Sequence, residues 1–164
     1  MQLYLVQHGA AKSETEDPKR SLTAEGMKTV ERMAEYLSSL TLHVDRIEHS
    51  GKERARQTAE IMAAHLRPEE GTRQVAGLSP NDDVGPMRER LRNESDSLMI
   101  VGHLPYLSRL VSALLRVPQE RALVAFQMGG VVHLERDDHG EWRLRWILAP
   151  ELLSERTSQH RNAA

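Results

Sequence analysis

The sequence predicts an α/β fold with mixed strand directions, and three observations support this prediction. Apolar runs end in small-residue turns at two distant places, Leu3 to Val6 before His8 and Leu98 to Val101 before His103. Such runs are typical of buried parallel strands. Segments with apolar residues at every third or fourth position alternate with them, which indicates helices packed on a sheet. Near the C-terminus, two strands of alternating apolar and charged residues flank a turn at 137–140 and predict an antiparallel hairpin.

The individual elements follow from capping residues and apolar spacing. Thr23 is placed to cap the first helix, because apolar side chains recur from Met27 to Leu37 behind it. Pro105 suits the first turn of the last helix, which Pro118 ends. In chain order we expect strands at 3–6, 46–49, 98–101, 131–135 and 142–148, and helices from 23, from 52 to 66, from 84 to 92 and from 105.

Trp142 and Trp146 are spaced to lie on one face of the last strand. Core packing is the expected role of both rings, because aromatic side chains contribute large apolar areas to a core.

Length and composition limit the protein classes. With 164 residues, 39% of them hydrophobic, residues 1–153 are expected to form a single domain, and the polar segment 154–164 a flexible tail. A net charge of -2 argues against an electrostatic nucleic-acid binder. The chain has no cysteine, which excludes disulfides, thiolate nucleophiles and cysteine-ligated metals. The sequence has neither the apolar core of a signal peptide nor an apolar stretch long enough to span a bilayer. We therefore expect no membrane association and a cytoplasmic location.

His8 and His103 are the most informative residues. Each follows a predicted buried strand, and open α/β sheets bind their ligands at the carboxyl ends of the strands. The segment from Ser50 to Thr58 follows a third strand and opens a basic helix, with Ser50 and Glu53 at capping-box spacing. Phosphate chemistry is predicted, because two imidazoles and the basic first turn of a helix are expected to lie in one crevice.

These motifs together resemble the histidine phosphatase superfamily, and specifically its small SixA-type phosphohistidine phosphatases. The resemblance extends from the first strand to the ending Pro150-Glu151-Leu152-Leu153. It implies a three-layer α/β/α sandwich of the phosphoglycerate mutase-like type, with a mostly parallel central sheet and an antiparallel edge hairpin. The segments that carry it are His8-Gly9, Arg20-Ser21-Leu22-Thr23 with Gly26, Ser50, Arg54-Ala55-Arg56-Gln57-Thr58 and Gly102-His103-Leu104-Pro105.

The resemblance implies phosphoryl transfer through a covalent phosphohistidine, without a metal or another cofactor. His8 is the implied nucleophile, while Arg54 and His103 bind the phosphoryl oxygens and stabilise their charge. The implied substrate is a phosphorylated protein carrying phosphohistidine, and the product is inorganic phosphate. The expected phosphate-binding residues are Gln7, Gly9, Arg20, Ser50 and Gly102, although the two glycines could equally serve only as turn residues.

Elementary chemistry supports these residue types. An imidazole with a reference pKa of about 6.5 is partly neutral near pH 7 and can attack phosphorus without a separate base. The charge of a transferring phosphoryl group lies on its equatorial oxygens, so fixed cations are the catalytic parts a protein supplies. Arg54 offers a planar multidentate donor, and a protonated His103 is expected to offer a second cation.

One residue departs from the superfamily pattern. An arginine usually precedes the nucleophilic histidine, and this chain has Gln7 there. A glutamine donates hydrogen bonds but carries no charge, so we expect a retained but attenuated phosphatase. Arg20 is the preferred compensating cation, ahead of Lys12 and Lys52, because its segment belongs to the resemblance.

Several alternatives remain open from the sequence alone. The acidic loop Ser79 to Asp83 could supply a leaving-group acid, although a loop and helix cap is the simpler interpretation. The chain could instead act on a small phosphorylated metabolite, or could be a degenerate phosphate- or phosphoprotein-binding module without turnover. The other histidines show no paired metal-ligand spacing, and His49 alone of them could line the crevice rim; the six are His43, His49, His65, His133, His139 and His160.

Overall fold

The computed structural model describes residues 1–118 and 122–153, and it confirms the predicted α/β sandwich. The predicted tail at 154–164 lies outside the described residues. Within the described ranges, no helix combines the length and the apolar character needed to cross a bilayer. The elements in chain order are β1 (Gln2–Gln7), α1 (Ala24–Ser39), β2 (Arg46–His49), α2 (Glu53–Leu66), β3 (Thr72–Gln74), α3 (Gly85–Asn93), β4 (Leu98–Gly102), α4 (Tyr106–Leu114), β5 (Val131–Arg136), β6 (Trp142–Leu148) and a 3-10 turn, Pro150–Leu153.

The six strands form one sheet in the order β3-β2-β4-β1-β5-β6. The first four of these run parallel, while β5 is antiparallel to β1 and pairs with β6 as an edge hairpin. The mostly parallel sheet with an antiparallel edge hairpin is therefore confirmed.

Each face of the sheet carries its own core. One cluster packs Val30 and Met33 of α1 and Met62 of α2 on the sheet, and the other packs Leu91 of α3 and Leu110 of α4 on the opposite face. The chain thus leaves β1 toward one face and leaves the neighbouring β4 toward the other. This divergence opens a crevice at the carboxyl ends of β1 and β4, where α/β sheets bind their ligands.

The predicted caps have different outcomes. Thr23 caps α1 as predicted, because its Oγ1 accepts the N–H of Gly26 at 2.9 Å. The capping box at Ser50 is wrong: α2 begins after Lys52 with no side-chain cap, and Glu53 pairs instead with Arg56.

The hairpin contains a β-bulge that the sequence does not reveal. His133 pairs with Trp146 and Leu134 with Leu144, so Arg145 has no residue opposite it. The extra residue reverses the alternation of side chains along β6. Trp142 therefore packs against the α3–α4 cluster and Trp146 against the α1–α2 cluster, so both contact a core but not on one face.

A buried carboxylate holds β2, which leads directly into the crevice. The side chain of Glu48 is completely buried and accepts hydrogen bonds from Arg73 on β3 at 2.6 Å and from Arg90 on α3 at 2.7 Å. Burial alone would raise the pKa of Glu48, but the bonds from Arg90 and Arg73 hold it below its usual value. The ionised carboxylate thereby joins β2, β3 and α3 beneath the Ser50 turn.

Candidate active site

The two predicted histidines lie side by side. Gln7 of β1 is in register with Gly102 of β4, so the next residue of each strand occupies an equivalent position at the sheet edge. The main-chain N–H of His8 also donates to the carbonyl of Gly102 at 3.2 Å. The ring centroids of His8 and His103 are 4.9 Å apart, with planes inclined by 55°. The convergence predicted from the strand ends is confirmed.

Hydrogen bonds determine which nitrogen of His8 carries the proton. Nδ1 lies 2.7 Å from the carbonyl oxygen of Gly9, and since a carbonyl only accepts, Nδ1 must be the protonated nitrogen. Nε2 is then unprotonated, and its lone pair accepts a hydrogen bond from Nε of Arg54 at 3.1 Å. The nitrogen available for attack is therefore Nε2, with a guanidinium already against it.

The first turns of α2 join the crevice loops to each other. Thr58 Oγ1 donates to the carbonyl of Arg54 at 2.7 Å and accepts the main-chain N–H of Gly9 at 3.0 Å. Gln57 Oε1 accepts the N–H of Leu22 at 2.7 Å, which secures the Arg20 segment to the same helix. Sequence reasoning gave Gln57 and Thr58 no individual role, because their partners lie 35 and 49 residues away.

Ser50 contacts the second histidine rather than capping a helix. Its Oγ lies 2.6 Å from Nε2 of His103, whose side chain is almost completely buried. The other ring nitrogen, Nδ1, is buried and has no hydrogen-bond partner within the described residues. Ser50 therefore holds the His103 ring through Nε2.

Burial and neighbouring charge keep both imidazoles neutral. Burial lowers the pKa of His8 to about 4; the hydrogen bond to Gly9 opposes this shift, and the charges of Arg54 and Arg20 add to it. Burial, followed by the nearby His8 and Arg54, lowers the pKa of His103 to about 3. The expectation of a protonated His103 is therefore wrong for the free protein at pH 7, because a cation there would be desolvated beside other cations.

Arg20 is presented by an unusual backbone. Its φ of 52° lies in the left-handed region, which non-glycine residues seldom adopt. Asp17 maintains this turn: its main-chain carbonyl accepts the N–H of Arg20 at 2.8 Å and its carboxylate accepts the N–H of Ser21 at 3.0 Å. The Arg20 charge lowers the pKa of His8, Arg54 and His103, which are chiefly lowered by burial. Its field therefore extends over the whole crevice.

The two lysines considered beside Arg20 differ from it. The charge of Lys52 contributes to the lowered pKa of His103, whereas Lys12 acts on the carboxylates of Glu16 and Asp17 in its own loop. These relations favour Arg20 over both lysines as the additional cation of the crevice.

Gln7 lies at the end of β1 with its side chain buried. Its main-chain carbonyl accepts the N–H of Gly129 at 2.8 Å. The side-chain Oε1 has no hydrogen-bond partner within the described residues. A buried amide oxygen without a hydrogen-bond partner is uncommon in folded proteins. The side chain of Gln7 therefore retains an unsatisfied hydrogen-bond acceptor within the described residues.

The glycines beside the histidines serve close packing. A Cβ on Gly9 would lie 2.7 Å from Cγ2 of Val30, and its N–H is already bonded to Thr58. The carbonyl of Gly102 accepts the N–H of His8, and a Cβ there would lie 3.2 Å from Leu107. These contacts fit the turn and packing interpretation of both residues.

The acidic loop is occupied with its own structure. Asp82 accepts the N–H of Ser79 at 2.7 Å, and Asp83 accepts the N–H of Gly85 at 2.9 Å, at the start of α3. Their charges contribute to raising the pKa of Tyr106 to about 12, chiefly a burial effect, whereas the charges that act on His8 and His103 are cationic. The geometry thus favours the loop-and-cap interpretation.

His49 and His133 both have structural partners. His49 Nδ1 accepts the N–H of Gly51 at 3.1 Å, which shapes the turn before α2. His133 is buried within β5, where it stacks on Tyr4 at 4.6 Å and its Nε2 contacts Gln2 at 2.6 Å. The sequence did not indicate this aromatic stack, because the rings come from strands more than a hundred residues apart.

Comparisons with known proteins agree with the geometry. Residues 3–78 match the model of the histidine phosphatase superfamily, branch 1. The phosphohistidine phosphatase SixA of Escherichia coli K12 is 28% identical over 155 residues, which cover 92% of this chain and 94% of that protein. A solved structure of the protein histidine phosphatase SixA complexed with tungstate superposes with a TM-score of 0.83 at 26% identity, covering 93% of this chain and 99% of that one. Phosphoglycerate mutase from Plasmodium falciparum shares the fold, with a TM-score of 0.69 at 20% identity over 88% of each chain.

We expect the unliganded protein to show no titration of His8 or His103 above pH 5, because burial lowers the pKa of these rings to about 4 and about 3. Between about pH 6.5 and those values an unfolded chain binds more protons, so the free energy of unfolding should fall as the pH falls through this window. Ring ¹⁵N chemical shifts, assigned with His8→Ala and His103→Ala, and urea unfolding from pH 4.5 to 7.5 measure both effects. A ring of this pair that titrates near pH 6.5 would contradict the neutral site.

Proposed function

Because the chain belongs to the histidine phosphatase superfamily, we propose that it is a metal-independent phosphatase that dephosphorylates protein phosphohistidine through a covalent intermediate on His8. The observation that carries this proposal is the unprotonated Nε2 of His8, whose lone pair accepts a hydrogen bond from Arg54 at 3.1 Å beside the ring of His103. A neutral imidazole is already a competent nucleophile, so the reaction needs neither a metal nor a separate base.

In the first step, the lone pair of His8 Nε2 forms a bond to phosphorus while the P–N bond of the substrate breaks. The bonding electrons leave with the substrate imidazole, which takes a proton from solvent. Arg54 Nε exchanges its bond to Nε2 for a bond to a phosphoryl oxygen, and Arg20 adds positive charge at the mouth of the crevice. In the second step, water attacks phosphorus, regenerates His8 and releases inorganic phosphate.

His103 acts as a donor to the phosphoryl group. In the free protein, burial opposes the protonation of His103 most, and the charges of Arg54 and Lys52 add to that effect. A bound dianion reverses that balance, so the rings titrate as a coupled set and Nε2 of His103 acquires a proton when phosphate arrives. Ser50 Oγ, 2.6 Å from Nε2, holds the ring in place.

Phosphohistidine suits this site better than an alkyl phosphate. A phosphoramidate has a labile P–N bond and a nitrogen leaving group that solvent can protonate, whereas an alkoxide needs a strong acid. Asp82 and Asp83 are committed to the Ser79 turn and the start of α3. The name of the E. coli relative, phosphohistidine phosphatase, supports the same substrate class, and tungstate in the similar SixA structure supports a tetrahedral oxyanion as ligand.

The proposed substrate and product are those expected from the sequence. The substrate is a phosphorylated protein and the product is inorganic phosphate, while a cytoplasmic location remains a prediction. A phosphatase or mutase of small metabolites, and a binding module without turnover, are the rival outcomes of the experiments below.

We expect the full chain to hydrolyse free phosphohistidine and a phosphohistidine peptide, and to hydrolyse an alkyl phosphate such as 3-phosphoglycerate much more slowly. His8→Ala should lower the rate by at least about 10³-fold, because the nucleophile is lost. His139→Ala, which removes an exposed histidine from the hairpin turn, is the matched control. Released phosphate, and the mass of enzyme trapped in cold alkali, measure turnover and the phosphate on His8. Preference for 3-phosphoglycerate would support the metabolite enzyme, and binding without turnover the degenerate module.

Gln7→Arg should raise kcat/KM for phosphohistidine about tenfold or more, because a charged hydrogen bond to phosphate is stronger than a neutral one by roughly 1 to 1.5 kcal/mol. The gain can be larger if the arginine acts mainly in the transition state. The matched control is Asn93→Arg, which adds the same charge at an exposed position at the C-terminal end of α3. An unchanged rate in a folded Gln7→Arg protein would show that Gln7 does not limit the reaction.

A further inference from the structure

A loop beside the crevice is unusually apolar for its exposure. Residues 122–128, here called the apolar loop, contain six apolar residues and one glutamine. Val124 is buried in the α3–α4 cluster and Phe126 packs partly against it. Leu123 is nevertheless 46% exposed and Met128 51% exposed. The α3–α4 cluster therefore does not cover these two side chains, which remain open to a partner.

The apolar loop is positioned at the catalytic end of the sheet. Met128 directly precedes Gly129, whose N–H donates to the main-chain carbonyl of Gln7 at 2.8 Å, one residue before His8. Leu104 directly follows His103 and is 40% exposed. Met128 and Leu104 are therefore exposed apolar residues that adjoin, along the chain, the Gly129–Gln7 contact and His103.

We propose that the apolar loop and Leu104 form a docking surface for the substrate protein, which packs exposed apolar side chains of its own beside the phosphorylated histidine. This inference rests on the proposed function and specifies how its substrate is chosen. The crevice supplies cations from Arg20, Lys52 and Arg54, which complement the phosphoryl dianion. The apolar loop contacts apolar side chains of the substrate protein, which the cationic crevice does not bind.

The charges favour a substrate protein over a second copy of this chain. A symmetric pair that buried the two apolar loops would bring two cationic crevices toward each other. Like charges at close range oppose such a pair, whereas a phosphorylated partner neutralises them. A substrate protein therefore satisfies the apolar and the cationic parts of this surface together.

The test compares two phosphohistidine peptides of equal length, one with leucines flanking the phosphohistidine and one with serines. For the double variant Leu123→Ser/Met128→Ser, kcat/KM on the leucine-flanked peptide should fall about tenfold or more, since two apolar contacts are lost. Hydrolysis of the serine-flanked peptide and of free phosphohistidine should not change. Leu40→Ser, which removes a 43% exposed leucine at the C-terminal end of α1, is the matched control.

A binding measurement separates the docking proposal from the proposed function. Fluorescence anisotropy with the leucine-flanked peptide carrying a stable phosphotriazole analogue should show about tenfold weaker binding to the double variant, whether or not wild type turns over phosphohistidine. Equal effects on both peptides, or no effect on the leucine-flanked one, would overturn the docking surface. A wild-type dimer that the double variant disrupts, with peptide rates and binding unchanged, would assign the loop to self-association and overturn it as well. Failure of wild type on free phosphohistidine would instead overturn the proposed function.

Discussion

The crevice depends on the register between β1 and β4. Because Gln7 pairs with Gly102, His8 and His103 leave the sheet at the same level, and the bond from the His8 N–H to the Gly102 carbonyl extends the pairing by one residue. A shift of one residue would direct one ring to the other face of the sheet. Two residues separated by most of the chain therefore meet through main-chain hydrogen bonds, before any side chain contributes.

Helix α2 converts this pair of rings into a reactive arrangement. Arg54 donates a hydrogen bond to His8 Nε2, and Thr58 accepts one from the N–H of Gly9. Gln57 accepts the N–H of Leu22, in the segment that presents Arg20. The Gly9 carbonyl fixes the His8 tautomer, while burial and cationic neighbours keep both rings neutral. The site thus holds two neutral imidazoles beside concentrated positive charge, with no second proton on either ring. This positive charge supports the proposed binding of a phosphoryl dianion.

Much of this arrangement was predictable because its signals are local. Apolar runs predicted β1 and β4, and a strand-end rule then predicted that His8 and His103 converge. The failures share a different cause. Ser50 has the spacing of a helix cap, but its actual partner, His103, is 53 residues away. The bulge at Arg145 depends on pairing with β5, and β3 consists of three exposed polar residues that lack an apolar pattern. The neutrality of His103 results from burial, which no spacing in the sequence reports.

The family resemblance leads us to expect an arginine where this chain has Gln7, and the side-chain Oε1 of Gln7 is buried without a hydrogen-bond partner within the described residues. We propose that both imidazoles and Arg54 bind one oxyanion. A crystal structure of the full chain with tungstate tests this proposal. We expect one anion with His8 Nε2, His103 Nε2 and Arg54 within hydrogen-bond distance, about 2.7 to 3.2 Å, of its oxygens. An anion bound away from His8, or a structure with these rings in separate cavities, would contradict the account.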